Sequence, residues 1–242
     1  MRRTVVVTGG AKGIGLATVM RFAGLGDDVV ALGRDTEALN RLDVRTAVCD
    51  VTDERAVADT FASIGPVDVL VNNAGVAESA ALAETSLECW ERHFAVNVTG
   101  AFLCMRAVLP GMRERGAGSV VTVASIAGRI GAPYIAAYTA SKHAAVGLTR
   151  AAASELAGSG IRVNAVCPGY VRTELTERAV ARIVQATGRT PEDSERELAQ
   201  RSPLGRLLEP DEVAEAVLFL ASDAAAAING QAVVIDGGGV QA

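Results

Sequence analysis

Short apolar runs alternate with longer amphipathic stretches along most of this chain. The runs are 3–8, 28–32, 45–49, 67–71, 120–124, 161–166 and 232–235. Apolar runs of this length, bounded by turn residues, are typical of buried strands. Helical periodicity lies between them, most clearly over 16–22, 86–115 and 209–221. Strands that alternate with helices predict an α/β domain with a doubly wound, seven-stranded parallel sheet and helices on both faces.

Neither a linker nor a repeat interrupts this alternation, so residues 1–242 are expected to form a single domain. Residues 172–206 are rich in charge and contain no strand-like run, and we interpret them as a partly helical lid over the substrate. Residues 36–43 leave room for only a small helix. Asn97 and Gly100 are poor helix-interior residues within 86–115, and they predict a kink that turns Asn97 inward.

The composition is that of an ordinary soluble globular protein, with 50% hydrophobic and 21% charged residues. The net charge of −5 and the absence of a basic run argue against nucleic acid as a partner. We expect no apolar stretch of the ~20 residues that a bilayer span needs, and no signal peptide. A cytoplasmic protein without a membrane partner is therefore the expectation.

Four cysteines, Cys49, Cys89, Cys104 and Cys167, are scattered without a C-x-x-C spacing. This pattern favours buried free thiols over disulfides or a metal site. The chain has only two histidines, which lie far apart in the sequence, and these also give no indication of bound metal.

A glycine-rich segment, Thr8–Gly15 (TGGAKGIG), follows the first strand and opens the first helix. This is the context that a nucleotide-phosphate motif requires. Glycine permits a tight turn at Gly9, and close backbone approach and packing at Gly13 and Gly15. Amide groups at the helix N-terminus would face a pyrophosphate. The sequence therefore predicts a Rossmann-type dinucleotide site.

The residues after the second and third strands bear on which dinucleotide binds. A carboxylate at the end of the second strand would bind a ribose 2′-hydroxyl, whereas an arginine accommodates a 2′-phosphate. Arg34 lies at that position, and Lys12 in the glycine-rich segment adds a second charge, so NADP(H) is favoured. NAD(H) remains possible, because Asp35 would reach the ribose if Arg34 points away. Asp50 is expected to accept a hydrogen bond from the adenine amino group.

Tyr138 and Lys142 are four residues apart, so they share one face of a helix. A nearby ammonium lowers the pKa of a phenol from its usual ~10, which would let the tyrosine exchange a proton with a substrate oxygen. Taken alone, such a pair is more often a set of ordinary surface neighbours. However, Lys12 and Lys142 are the only lysines among 23 basic residues. Ser125 follows the fifth strand, at the edge where open α/β sheets bind ligands.

Together these motifs resemble those of the short-chain dehydrogenase/reductase family over nearly the whole chain. The matching segments are TGGAKGIG (8–15), DVTD (50–53), NNAG (72–75), NVTG (97–100), Ser125, YTASK (138–142) and PG..VRT (168–173). The resemblance implies that Tyr138 is the general acid in ketone reduction and the base in alcohol oxidation. It implies that Lys142 binds the nicotinamide ribose and lowers the Tyr138 pKa. Ser125 would bind the substrate oxygen, and Asn97 would hold a water in a proton relay to Lys142.

The resemblance also completes the set of expected cofactor contacts. These are Gly9, Lys12, Gly13, Ile14, Gly15, Arg34, Asp50, Val51, Asn73, Ala74, Gly75, Tyr138, Lys142, Pro168, Gly169, Val171 and Thr173. Val171 and Thr173 would contact the carboxamide. Members of the family usually form tetramers, partly through the C-terminal segment, so a homotetramer is expected. No metal is implied.

The pattern is most similar to 3-oxoacyl thioester reductases of the acyl-carrier-protein or CoA type. The expected substrate pocket is mostly apolar, with Ile126, Ala127, Ile130, Ala132, Tyr134, Tyr170 and Leu175 in its wall and Arg129 as its one charge. Because these loops hold no lysine or histidine to bind a free acid, 3-hydroxybutyrate oxidation ranks lower. The alternatives are an NAD(H)-dependent alcohol, sugar or hydroxysteroid dehydrogenase and, more remotely, a non-catalytic nucleotide-binding regulator. The intact set of Asn97, Ser125, Tyr138 and Lys142 argues against the regulator.

Overall fold

The computed structural model describes residues 2–241 and arranges the apolar runs as one sheet. Its strands are β1 (Thr4–Thr8), β2 (Asp28–Gly33), β3 (Arg45–Val48), β4 (Val69–Asn72), β5 (Gly118–Val123), β6 (Ile161–Pro168) and β7 (Ala232–Ile235). All neighbouring strands are parallel, in the order β3-β2-β1-β4-β5-β6-β7. The predicted seven-stranded, doubly wound sheet is confirmed.

Nine α-helices connect the strands within the described residues. They are α1 (Gly13–Gly24), α2 (Thr36–Leu39), α3 (Glu54–Ile64), α4 (Leu87–Phe94), α5 (Ala101–Arg115), α6 (Ala136–Glu155), α7 (Glu174–Thr187), α8 (Pro191–Gln200) and α9 (Pro210–Ala221). Alternate side chains of β1 point to opposite faces of the sheet. Val5 and Val7 pack with α1 and α9 in one core, while Val6 packs with α3 and α5 in another. Burial on both faces explains why the strands are continuous apolar runs.

The helical stretch predicted over 86–115 is present but contains a π-helical segment, Ala95–Gly100, between α4 and α5. A Cβ added at Gly100 would lie 2.7 Å from Cγ2 of Val51, so glycine allows the segment to pass close to the end of β3. The irregular turn directs Asn97 inward, where only 3% of it is exposed. The predicted kink is therefore confirmed, and π-helical turns are frequent at functional sites.

The same stretch corrects one expectation. Among the described residues, Leu87–Arg115 is long and apolar enough to cross a membrane by length and composition, since an 18-residue window within it has a mean hydropathy of 1.4. This apolar stretch was not expected from the sequence because charged residues lie at both of its ends. Between Arg92 and Arg113, however, Arg106 is the only charged residue. In the fold, α5 buries five side chains against the sheet: Leu103, Cys104, Met105, Val108 and Met112. A core helix of this kind can be as long and as apolar as a membrane span.

Residues 172–206 form an excursion over the carboxyl edge of the sheet and contain α7 and α8. Its two ends meet, because Arg172 donates its backbone N–H to the carbonyl of Leu208 at 2.8 Å and Leu208 donates to Tyr170 at 2.9 Å. The excursion therefore leaves and rejoins the domain at one point beside β6. It is helical, as the sequence indicates, and its action as a lid stays a prediction.

Candidate active site

The glycine-rich turn between β1 and α1 has backbone geometry that depends on glycine. Gly9 and Gly13 have φ angles of 64° and 52°, in the left-handed region that other residues rarely adopt. A Cβ added at Gly15 would lie 2.1 Å from the carbonyl oxygen of Gly9. The turn and the first turn of α1 are thus packed too closely for a side chain.

The end of β4 is tied to this turn by four hydrogen bonds. Asn73 Nδ2 donates to the carbonyl oxygens of Thr8 and Gly9 at 2.9 and 3.1 Å. The backbone N–H groups of Asn73 and Ala74 both donate to Oγ1 of Thr8 at 3.0 Å. The Asn73 side chain therefore builds the turn, and Ala74 and Gly75 form the adjoining floor of the site.

The N-terminus of α1 fits an anionic ligand. Lys12 is its N-cap, no side chain caps its first N–H groups, and no acidic residue lies in its first turn. An uncapped helix N-terminus carries partial positive charge and free donors, which suit a phosphate. The residues present therefore fit the pyrophosphate of a dinucleotide.

Two ion pairs occupy the ends of β2 and β3. Arg34 lies 3.2 Å from Asp50, and its side chain is 66% exposed. Burial opposes the ionisation of Asp50, but hydrogen bonds from Thr52 and Arg34 still hold its pKa below the ordinary value. Asp35 accepts from the Ala38 N–H at 3.0 Å, capping α2, and this cap and Lys12 lower its pKa. Asp35 is therefore engaged in the protein, while Arg34 is the exposed group beside the expected ribose position.

Ser125, Tyr138 and Lys142 meet on one wall of a cavity at the carboxyl edge of the sheet. The Lys142 ammonium donates to the carbonyl of Val123 at 2.9 Å and lies 5.7 Å from the centre of the Tyr138 ring. Ser125 Oγ accepts from the backbone N–H of Ala127 at 3.1 Å, which fixes the hydroxyl at the end of β5. The end of β5 thus brings Ser125 to the helix that carries Tyr138 and Lys142.

The pKa shifts in this set differ from the expectation. Burial raises the pKa of Tyr138 above its ordinary value of 10.0, and the Ser125 hydroxyl offsets only part of that rise. Burial also lowers the pKa of Lys142 to about 8. Lys142 is not among the groups that shift the Tyr138 pKa here, so the lowering expected from it stays a prediction. The ammonium lies against the ring and bonds the Val123 carbonyl, so desolvation of the phenol dominates.

Asn97 lies behind the cavity wall rather than in it. Its amide donates to the carbonyl of Val76 at 3.0 Å and to Ser141 Oγ at 2.9 Å, and its Oδ1 accepts from the Val76 N–H at 2.8 Å. A Cβ added at Gly75 would lie 3.2 Å from Asn97 Oδ1 and 3.6 Å from Lys142 Nζ. Asn97 thus adjoins the lysine, but its side chain is engaged by Val76 and Ser141.

The cavity has a volume of about 1280 Å³ and extends from the glycine-rich turn to α7 and α8. The expected site residues that line it are Gly9, Lys12, Gly13, Ile14, Asn73, Ala74, Gly75, Ser125, Tyr138, Lys142, Pro168, Gly169, Val171 and Thr173. Those outside its wall are Gly15, Arg34, Asp50, Val51 and Asn97. All seven expected apolar pocket residues also line it, namely Ile126, Ala127, Ile130, Ala132, Tyr134, Tyr170 and Leu175.

Two features of the site were missed from the sequence. Arg129, expected as the pocket's one charge, does not line the cavity, whereas arginines of α7 and of the residues flanking α8 do. His93 is completely buried beside Tyr138, with ring centres 6.3 Å apart, and its Nε2 accepts from the Glu78 N–H at 3.1 Å. Residues 172–206 were interpreted as a partly helical lid, but their charge gave no sign of which side chains meet the cavity. His93 stood alone, without a partner in the sequence.

Comparison with known proteins places this geometry in a family. The family model described as enoyl-(acyl carrier protein) reductase matches residues 9–239. The chain is 41% identical to 2-(R)-hydroxypropyl-CoM dehydrogenase of Xanthobacter autotrophicus, over 98% of each chain. It is 38% identical to the 3-oxoacyl-[acyl-carrier-protein] reductase of Thermotoga maritima, over 98% of this chain and 97% of the relative. A variant of actinorhodin polyketide ketoreductase, solved with NADPH, superposes with a TM-score of 0.94 at 37% identity, covering 98% and 97% of the two chains.

The chain belongs to the short-chain dehydrogenase/reductase family, whose enzymes act on CH–OH and C=O groups with a nicotinamide cofactor. The predicted family and enzyme class are confirmed. The relatives differ in substrate, so membership in the family does not select one.

Proposed function

We propose that this protein is an NADP(H)-dependent oxidoreductase that reduces a 3-oxoacyl thioester, on acyl carrier protein or CoA, or a similar β-keto compound. The observation that carries the proposal is the meeting of Ser125, Tyr138 and Lys142 in the cavity that begins at the glycine-rich turn. A bound nicotinamide supplies or accepts the hydride. The protein's part is to hold the carbonyl and to deliver the proton.

The three side chains divide that work by their chemistry. The phenol of Tyr138 donates a proton to the carbonyl oxygen, and its raised pKa keeps that proton in place at neutral pH. Ser125, fixed by the Ala127 N–H, donates to the same oxygen and stabilises its developing charge. Lys142 binds ribose hydroxyls. The Asn97 amide is occupied by Val76, so a water relay at this residue would use its main-chain carbonyl.

The cofactor preference rests on Arg34 and Asp35. Asp35 caps α2 and pairs with Lys12, which lies 3.0 Å away, so a ribose 2′-hydroxyl would have to compete with these contacts. Arg34 is exposed at the end of β2 and can form paired hydrogen bonds to a 2′-phosphate. The similarity to a ketoreductase solved with NADPH supports the same choice.

A second candidate is a secondary-alcohol dehydrogenase with NAD(H) or NADP(H). It is favoured by the similarity to 2-(R)-hydroxypropyl-CoM dehydrogenase, which is slightly higher in identity than that to the 3-oxoacyl reductase. The two candidates use the same side chains in opposite directions, so substrate preference must distinguish them.

The decisive experiment measures oxidation of NADPH and NADH with acetoacetyl-CoA, an acetoacetyl carrier protein, simple ketones and sugars. The proposal expects turnover with a thioester and a preference for NADPH. Tyr138→Phe should abolish turnover while preserving cofactor binding, because it removes only the phenolic proton. Turnover with alcohols alone would favour the second candidate. Undiminished activity of Tyr138→Phe would exclude the proposed acid.

A homotetramer is part of the same proposal. Leu87, Trp90 and Phe102 are 70%, 38% and 42% exposed on α4 and α5, which is unusual for side chains of this size on a monomer surface. The edge strand β7 also exposes 37% of Val233. Light scattering on the purified protein should give about four times the 24.9 kDa chain mass, and a monomer would contradict the expectation.

A further inference from the structure

Most arginines of the cavity wall form ion pairs with carboxylates. Four arginines line the cavity, and all belong to the segment that contains α7 and α8: Arg178, Arg182, Arg189 and Arg201. Arg178 lies 3.4 Å from Glu174, and Arg201 lies 3.0 Å from Glu197. Arg189 contacts Glu197 as well. Three of the four positive charges therefore have a partner within the protein.

Arg182 is different. Among residues 2–241 it has no carboxylate within ion-pair distance, and its one polar contact is from Nη1 to the carbonyl oxygen of Ala77, at a long 3.5 Å. The neighbouring Glu78 is not available, because both of its oxygens lie 2.6 Å from Arg92. Glu84, the other acid on this side of the cavity, forms no ion pair with it either. The guanidinium thus keeps most of its donors unused.

Arg182 lies near the catalytic residues through its contact with Ala77. Ala77 follows Val76, whose backbone N–H and C=O both form hydrogen bonds with the Asn97 side chain. Arg182 therefore faces the cavity where the loop after β4 approaches the catalytic residues. The cavity wall also contains apolar residues, among them Ile183, which follows Arg182 in the chain. A half-buried guanidinium in such surroundings is costly unless something pairs with it.

We propose that Arg182 recognises an anionic group on the substrate, so that the natural ketone or alcohol carries a carboxylate, phosphate or similar anion. This inference rests on the proposed function, since it concerns the substrate of that site. Guanidinium groups bind such anions through paired hydrogen bonds, which adds direction as well as charge. A free acid ranked low from the sequence because the loops hold no lysine or histidine. The positive charge is supplied instead by Arg182, from α7.

The competing explanation is that Arg182 only ties α7 to Ala77. The two explanations predict different effects of a negative charge on the substrate: only the first expects Arg182 to strengthen binding of the charged ligand. Matched ketones separate them: 4-oxopentanoate and 5-oxohexanoate against their methyl esters, and acetoacetyl-CoA against the uncharged acetoacetyl thioester of N-acetylcysteamine. The first pairs test a carboxylate, and the last pair tests the phosphates of a CoA-type carrier.

The experiment compares kcat and KM for these ketones in the wild type, Arg182→Ala and Arg182→Lys. Arg182→Ala should raise KM for at least one anionic member by about 10- to 100-fold, with kcat and the neutral member changing less than about threefold. Arg182→Lys should recover part of the loss, because it keeps the charge without the planar fork. Arg196→Ala is the matched control, since it removes an exposed arginine of α8 that pairs with Asp193 outside the cavity.

Calorimetric titration of 5-oxohexanoate, acetoacetyl-CoA and their neutral counterparts into the wild type and Arg182→Ala gives a readout that needs no turnover. Tighter binding of an anionic member, lost in Arg182→Ala, would support the inference even if every ketone proved inert and the proposed function failed. Equal losses for charged and neutral ligands, or no preference for any anion in the wild type, would overturn it. In that case turnover of the neutral ketones would leave the proposed function standing.

Discussion

The pKa of Lys142 makes the stability of this protein depend on pH in a way that can be measured. Burial lowers that pKa from 10.5 to about 8. Below pH 8 both the folded and the unfolded states carry the proton, and the fold bears the whole cost of burying the charge. Between pH 8 and 10.5 the folded state releases the proton while the unfolded state keeps it. Stability therefore rises with pH through that range.

The size of the effect follows from the shift. A pKa difference of this size corresponds to about 3 kcal/mol in total, or about 1.4 kcal/mol for each pH unit inside the range. Lys142→Met removes the titration but keeps a long apolar side chain. Its lost hydrogen bond to Val123 changes stability by a constant amount at every pH. The pH dependence of the difference in unfolding free energy between the two proteins therefore reports the titration of Lys142 alone.

The assay is reversible urea unfolding of both proteins at one protein concentration, in half-unit steps from pH 7 to 9.5 and without cofactor. From pH 8 to 9.5 the wild type should gain about 2 kcal/mol relative to Lys142→Met. Stopping at pH 9.5 avoids the range where Tyr138 titrates. Lys142→Arg, which stays charged throughout, should show no such gain. A pH-independent difference between the wild type and Lys142→Met would refute the argument that burial dominates at this lysine.

Three further substitutions test the cofactor end of the site. Gly15→Ala should lower the free energy of urea unfolding by at least about 2 kcal/mol and abolish NADPH binding, because its Cβ would meet the Gly9 carbonyl. Gly24→Ala is the control, since a Cβ there meets open space and should leave both quantities unchanged. Arg34→Ala should raise the KM for NADPH about 10- to 100-fold but leave that for NADH nearly unchanged, and equal losses would reverse the cofactor assignment. Thr8→Val should destabilise by about 1–3 kcal/mol, since two amides lose their acceptor; an unchanged unfolding midpoint would contradict this.

The strands could be predicted because this sheet is covered on both faces. Val5, Val6 and Val7 are all fully buried, so the β1 run has no polar interruption to obscure it. Boundaries were less certain. The strand β4 begins two residues later than predicted, at Val69, although the Asp68 backbone already bonds Thr4 and Ser119. The strand β6 extends two residues further than predicted, to Pro168. Such ends depend on the neighbouring strand, which a single run of sequence does not describe.

The site divides along similar lines. The glycine-rich turn could be predicted because its chemistry is local: one strand end, one turn and one helix N-terminus. Ser125, Tyr138 and Lys142 were placed correctly because two of them share a helix and the third ends a strand. Arg182 and His93 were missed because their roles depend on contacts with residues distant in the sequence, Ala77 and Tyr138. Such contacts arise only from the packing of the folded chain.

The Tyr138 pKa also bears on the protonation state of the site. A pair of residues in sequence suggests a charge–charge effect, but burial acts on both members and favours the neutral form of each. A phenol with a raised pKa holds its proton at neutral pH, which is the state that carbonyl reduction consumes. Alcohol oxidation needs the phenolate and must form it against the same burial, with only the Ser125 hydroxyl acting in its favour. Tyr138 is therefore ready to donate its proton in the proposed reduction, whereas the reverse reaction through the same residue first requires its deprotonation.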